Sequence, residues 1–230
     1  MAAPIVVLHA FGDERGGGAW RDALASSWDG PVIAPDLPGH CSTPAPAGGH
    51  YEVADALLAV LPALASLDPA LPPVVVGCGV NGWAAQVLAL AGRASAVVTV
   101  DGLGGPWTTP RQRVTAWRDT LRAIAGDLAA MAAPPTEGID PRLRYGLDPH
   151  GSRRLAERGA VATPVPALIV ESPASPLPAE EVDALAAAYR SGATVERVAA
   201  ATAEAVTAVV VGWASATRPA AATPARPIAG

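Results

Sequence analysis

Several residues in this 230-residue chain have the types and spacing to do chemistry. Gly77-Cys78-Gly79-Val80-Asn81-Gly82 follows an apolar run and leads into a helical one. Such a turn can aim backbone N–H groups and a helix N-terminus at an oxygen-bearing ligand. His9 closes another apolar run, and a histidine near neutrality suits proton transfer. Asp101 and Glu171 close two more runs, and the carboxyl ends of strands are where α/β sheets bind ligands. His9, Asp101 and Glu171 are therefore the candidate proton-transfer groups. Cys78 is the one nucleophile type in the turn, but its register is wrong. An exposed apex needs compliant neighbours two residues away on each side. Around Cys78 these are Val76 and Val80; around Gly79 they are Gly77 and Asn81, and Asn accepts unusual backbone angles better than Val. The apex is then Gly79, which has no side chain to attack with. Cys78, Asn81 and Trp107 are expected to line the pocket.

The same glycines spell G-x-G-x-x-G, with Asp101 about 20 residues further on at the end of the next apolar run. In a dinucleotide-binding protein, Gly77, Gly79 and Gly82 would admit a pyrophosphate and Asp101 would reach the ribose. This alternative belongs to a different functional class. Against it, the fingerprint follows the third strand instead of the first.

The elements that must position these residues alternate. Expected strands are Ile5–Leu8, Val32–Ala34, Val74–Gly77, Val97–Val100, Ala167–Val170 and Thr194–Val198. Expected helices are Trp20–Ser27, Tyr51–Leu67, Gly82–Ala91, Pro178–Arg190 and Thr202–Ser215. Continuous apolar strands alternating with helices predict a doubly wound parallel α/β sheet of about six strands. Residues 107–163 show no good strand and are expected to form a small helical lid over the carboxyl edge. The core is then 1–106 with 164–217, and the Ala/Pro-rich stretch 218–230 is expected to be disordered.

Pro4–Phe11, Val32–Ser42 with its Asp36-Leu37-Pro38-Gly39-His40 run, and the turn Gly77–Gly82 together resemble the α/β-hydrolase superfamily. Val97–Asp101 and Ala167–Pro178 resemble its next two strands. On that resemblance the chain begins at the family's third strand, without the first hairpin. Cys41 stands where the family commonly has glycine. The resemblance also implies that the Ser-His-Asp triad is vacant. Gly79 occupies the nucleophile position and Ser175 the acid position. Ala199-Ala200-Ala201-Thr202 stands where the histidine turn would be, and no histidine follows His150. Losing such a triad costs on the order of 10⁶ in turnover, leaving about 10³–10⁴ over water from backbone donors and binding. By resemblance those donors are the amides of Phe11 and Val80.

Composition narrows the partners. The net charge of −5 argues against nucleic acid, and no apolar stretch is long enough for a membrane span. All the basic residues are arginine. Together with the Ala, Gly and Pro excess this suggests a GC-rich genome, which associates the protein with secondary metabolism. Two cysteines and an N-terminus without a leader pattern set a cytoplasmic expectation. The lid stretch is rich in arginine, including Arg111 and Arg113, which could meet an acidic carrier protein; solvation of helices in a chain without lysine is the simpler explanation. The expected function is binding of an apolar, carbonyl-bearing small molecule without hydrolysis. Either there is no chemistry, or the protein assists a cyclisation, dehydration or isomerisation, with no cofactor. The alternatives are a dinucleotide-binding protein and a partner-binding pseudoenzyme.

Overall fold

Burial on both faces turns the short apolar runs into strands. All four residues of β1 (Ile5–Leu8) and all five of β4 (Val74–Cys78), β5 (Ala96–Val100) and β7 (Ala167–Glu171) are buried. The computed structural model describes residues 2–47, 50–51, 53–102, 138–140, 144–145, 163–175, 179–189 and 191–217. Besides these strands it contains β2 (Val32–Ile33), β3 (His50–Tyr51), β6 (Arg144–Tyr145) and β8 (Ala193–Arg197). The helices described are α1 (Gly16–Ala25), α2 (Val53–Ala65), α3 (Gly82–Leu90), α4 (Ala179–Ala188) and α5 (Ala203–Ala216).

Six strands form one parallel sheet in the order β2-β1-β4-β5-β7-β8. The period-two alternation of strand side chains divides the core into two layers. Val6, Leu8, Val75, Val97 and Ile169 pack with α2, α3 and Val182 of α4. Ile5, Val7, Val76, Val98 and Val170 pack with Trp20 and Leu24 of α1 and Val206 and Val210 of α5. No helix among the described residues is long and apolar enough to cross a membrane.

Two departures from expectation have physical causes. Helix α1 starts four residues early, at Gly16 rather than Trp20. The glycines there are needed for contact: a Cβ on Gly17 would lie 2.0 Å from the Ala34 carbonyl oxygen. Within the stretch expected to lack strands, β6 pairs in parallel with β3 through Tyr51↔Tyr145. Two-residue strands leave too little sequence for a periodicity to register. The expected lid otherwise lies outside the described residues, as do Trp107, Arg111, Arg113 and the stretch 218–230.

Candidate functional site

The sheet order reverses between β1 and β4, since β2 lies to one side of β1 and β4 to the other. Loops after those two strands diverge and leave a crevice at their carboxyl ends, the place where open α/β sheets bind ligands. Gly79 sits in that crevice. It takes φ +55°, a backbone region costly to any residue with a Cβ, and opens a single 3-10 turn, Gly79–Asn81, that runs directly into α3. The turn is closed tightly from below: a Cβ on Gly77 would lie 2.3 Å from the Asn81 carbonyl oxygen. Above it, a Cβ on Gly79 would meet nothing among the described residues nearer than the Ala10 methyl at 3.9 Å. Val80 follows the apex within this turn, and Phe11 follows Ala10 on the opposing loop. These are the two residues whose amides the sequence nominated as donors.

The glycine fingerprint has an explanation inside the chain. The space over Gly77 is filled by the chain's own Asn81 backbone. Asn81 itself is fully buried. Its Nδ2 donates to the His9 carbonyl at 2.6 Å and its Oδ1 accepts from the Tyr51 hydroxyl at 3.1 Å. It pins the turn to β1 and to Tyr51. Cys78 also departs from its expected place. Its side chain shares the parity of Val74 and Val76 and packs in the apolar layer beneath the sheet with Val7 and Val100. Burial pushes its thiol well above the ordinary range.

His9 is fully buried and both ring nitrogens are engaged. Nε2 accepts from the Leu37 amide at 3.0 Å, which leaves the proton on Nδ1, donated to the Ala10 carbonyl at 2.9 Å. Burial and neighbouring His40 lower its pKa to about 4. The proton-transfer role expected of His9 thus meets a neutral imidazole with no ring nitrogen left for a substrate. His40 is used in the same way, accepting from the Gly12 amide through Nε2 at 2.8 Å, while Asp36 Oδ1 accepts from the Gly17 amide at 3.0 Å. The loop Asp36–His40 is therefore a bracket that fixes both the β1 loop and the start of α1. At its end, Cys41 adopts φ +49°.

Asp101 is committed as well. At φ +45°, its Oδ1 accepts from the Ser172 amide at 2.7 Å and its Oδ2 from the Ser172 hydroxyl at 2.5 Å. That spends the carboxylate on the turn after β7. Sequence reasoning missed Ser172, which stands 71 positions away and carries no motif.

Glu171 differs from both. It is 6% exposed, and neither carboxyl oxygen has a hydrogen bond of good geometry among the described residues. It lines a cleft of about 300 Å³ with Ser172, Ser175, Val182 and Arg197. Burial raises its pKa to about 7; Asp101 adds to the rise, while Ser175 and Arg197 oppose it. Ser175 lies in the turn closed by its amide on the Ser172 carbonyl at 3.0 Å. After β8, residues 199–202 are exposed, and Thr202 caps α5 by accepting from the Ala205 amide at 3.3 Å. Among the described residues no group of three His, Cys, Asp or Glu side chains is placed to hold a metal ion.

No family model matches the sequence, and neither does any curated protein. Solved structures do match. A monoacylglycerol lipase of Paleococcus ferrophilus superposes with TM-score 0.61 at 19% identity, covering 93% of this chain and 94% of the lipase. The thioesterase domain from the curacin biosynthetic pathway gives 0.63 at 16% identity, covering 94% and 92%. Tomato methylketone synthase I, complexed with 2-tridecanone, gives 0.61 at 15%, covering 95% of this chain and all of the synthase (100%). Six parallel strands with helices on both faces, matched over nearly the whole length of these proteins, give the chain the α/β-hydrolase fold.

Proposed function

We propose that the protein binds an apolar, carbonyl-bearing small molecule over Gly79 and does not form an acyl-enzyme. The observation that carries this reading is the sharp turn itself: Gly79 takes φ +55° between β4 and α3 and has no side chain, and among the described residues a Cβ there would meet nothing nearer than the Ala10 methyl. On this reading Ser175 stands in the vacant acid position, and Ala199–Thr202 replaces the histidine turn. A carbonyl seated at the crevice would meet the amides of Val80 and Phe11, and polarisation by such donors assists enolisation, dehydration or cyclisation without a covalent step. His9 and Asp101 are occupied by other groups, and Glu171 lines a cleft two strands away from the Gly79 turn, so none of the three candidate groups stands at the carbonyl and binding without chemistry is the simpler form of the reading. Tomato methylketone synthase I supports the ligand class, since its complexes hold 2-tridecanone and beta-ketoheptanoate, both carbonyl compounds with alkyl chains. The curacin thioesterase, similar in fold, supports a place in secondary metabolism.

The test is native mass spectrometry with 2-tridecanone, run beside samples holding NAD and NADP, together with an intact-mass assay after a p-nitrophenyl ester. The expected result is retention of the ketone and no acyl mass gain. A stoichiometric acyl adduct, or retention of a dinucleotide alone, would overturn the reading.

A further inference from the structure

A buried carboxyl short of hydrogen bonds costs stability, and Glu171 is such a group: among the described residues neither oxygen has a hydrogen bond of good geometry, and the nearby Ser175 hydroxyl offsets its burial only in part. It lies at the end of β7 on the face shared with Ile169, and one wall of its cleft is apolar, made by Pro173, Ala179, Val182 and Val198. A volume of about 300 Å³ is at the small end of ligand sites. Parallel strands are about 4.8 Å apart. With β5 between β4 and β7, the cleft is therefore set off from Gly79 by two strand spacings.

We infer that this cleft binds a small aliphatic amine, its ammonium on Glu171 and its alkyl stem along the apolar wall. The charges around the cleft favour a cation over an anion. Glu171 and Asp101 contribute carboxylates from adjacent strands. Of the two hydroxyls on the lining, Ser172 already donates to Asp101, and Ser175 alone acts on Glu171. Arg197, the one cation among the described lining residues, is 61% exposed at its side chain and paired with Asp183 of α4 at 3.7 Å. An ammonium supplies the donors that the Glu171 carboxylate lacks, whereas an anion would need Arg197 to leave Asp183 and Glu171 to be protonated. Because burial holds the empty carboxyl partly protonated near neutral pH, amine binding drives a proton off Glu171 into solution. The inference does not rest on the reading of Gly79, and either can fail alone.

The test is calorimetric titration of the full chain with n-pentylamine at pH 6.5, in two buffers of different ionisation heat, with pentanoate and 1-pentanol in parallel. The amine is expected to bind with release of a proton to the buffer, and the acid and alcohol are expected to bind more weakly. Glu171→Gln should weaken the amine about tenfold or more, with a thermal melt confirming that the variant is folded. Arg197→Ala should tighten it, which keeps the test decisive if the Glu171 variant does not fold. Unchanged amine binding in Glu171→Gln, preferential binding of pentanoate, or no amine binding at all would overturn the inference.

Discussion

Asp101 and Ser172 join the ends of β5 and β7 through two contacts on one carboxylate, at 2.7 Å from the serine amide and 2.5 Å from its hydroxyl. The aspartate holds this position at φ +45°. Removing it leaves a serine amide without its acceptor and puts a residue lacking local hydrogen bonds into a left-handed conformation. Asp101→Ala is expected to cost about 2–4 kcal/mol in urea denaturation. A loss under about 0.5 kcal/mol would show that the pair contributes nothing to stability.

The elbow makes a paired prediction. Gly79→Ser should fold with a loss of about 1–2 kcal/mol, the cost of a Cβ in the left-handed region, because nothing crowds the added atom. Gly77→Ala should be far worse, since its Cβ meets backbone at 2.3 Å. The serine variant should not turn over p-nitrophenyl butyrate appreciably faster than the parent, with His9 and His40 both engaged elsewhere. Thermal melts and ester hydrolysis read both outcomes.

Acid and alkali should act on different residues. His9 has a folded pKa of about 4 against an ordinary 6.5. Its contribution is complete above 6.5 and is lost as pH falls through 4, by about 3 kcal/mol at most. Glu171 runs the opposite way, with a folded pKa of about 7 against 4.5. Its contribution is complete below 4.5 and is lost as pH rises through 7. Glu171→Gln should therefore stabilise the protein by up to about 3 kcal/mol at pH 8 and by much less at pH 5. Equal effects at the two pH values in chemical denaturation would refute the assignment.

Asn81 offers a cleaner structural test. Truncating it to alanine removes its bonds to the His9 carbonyl and the Tyr51 hydroxyl. The expected loss is about 2–4 kcal/mol. A double-mutant cycle with Tyr51→Phe should show coupling of about 1 kcal/mol. Additive losses would mean that the Tyr51 bond does not form in solution.

Cys41 should be improvable. At φ +49° it stands where the resembling family commonly has glycine, and Cys41→Gly is expected to stabilise by up to about 1 kcal/mol. A lower melting temperature in the variant would show that the thiol's contact with the Glu14 carbonyl at 3.4 Å outweighs the strain.

The sheet was legible because its strands are buried on both faces and so read as unbroken Val, Leu and Ile between turn residues. Val74–Cys78 and Ala167–Glu171 each fell within one residue of expectation. The elbow was legible for a local reason, since its constraints fall on residues two apart. Much of the site's chemistry was not. Whether His9 is free depends on Leu37, 28 residues away, and whether Asp101 is free depends on Ser172, 71 away. The burial of Glu171 depends on Val182 of α4 and Arg197 of β8 coming together around it. No spacing rule reaches that far, because loops of unrelated length bring these groups together.

The backbone at Gly79 also has a bearing on how such a chain changes over generations. Glycine relieves the turn of about 1–2 kcal/mol that a residue with a Cβ would impose, so glycine is the more stable occupant of this position. Drift toward a side chain there runs uphill, and only selection for a reaction at that atom would offset the climb. On stability alone, glycine is the residue this position favours.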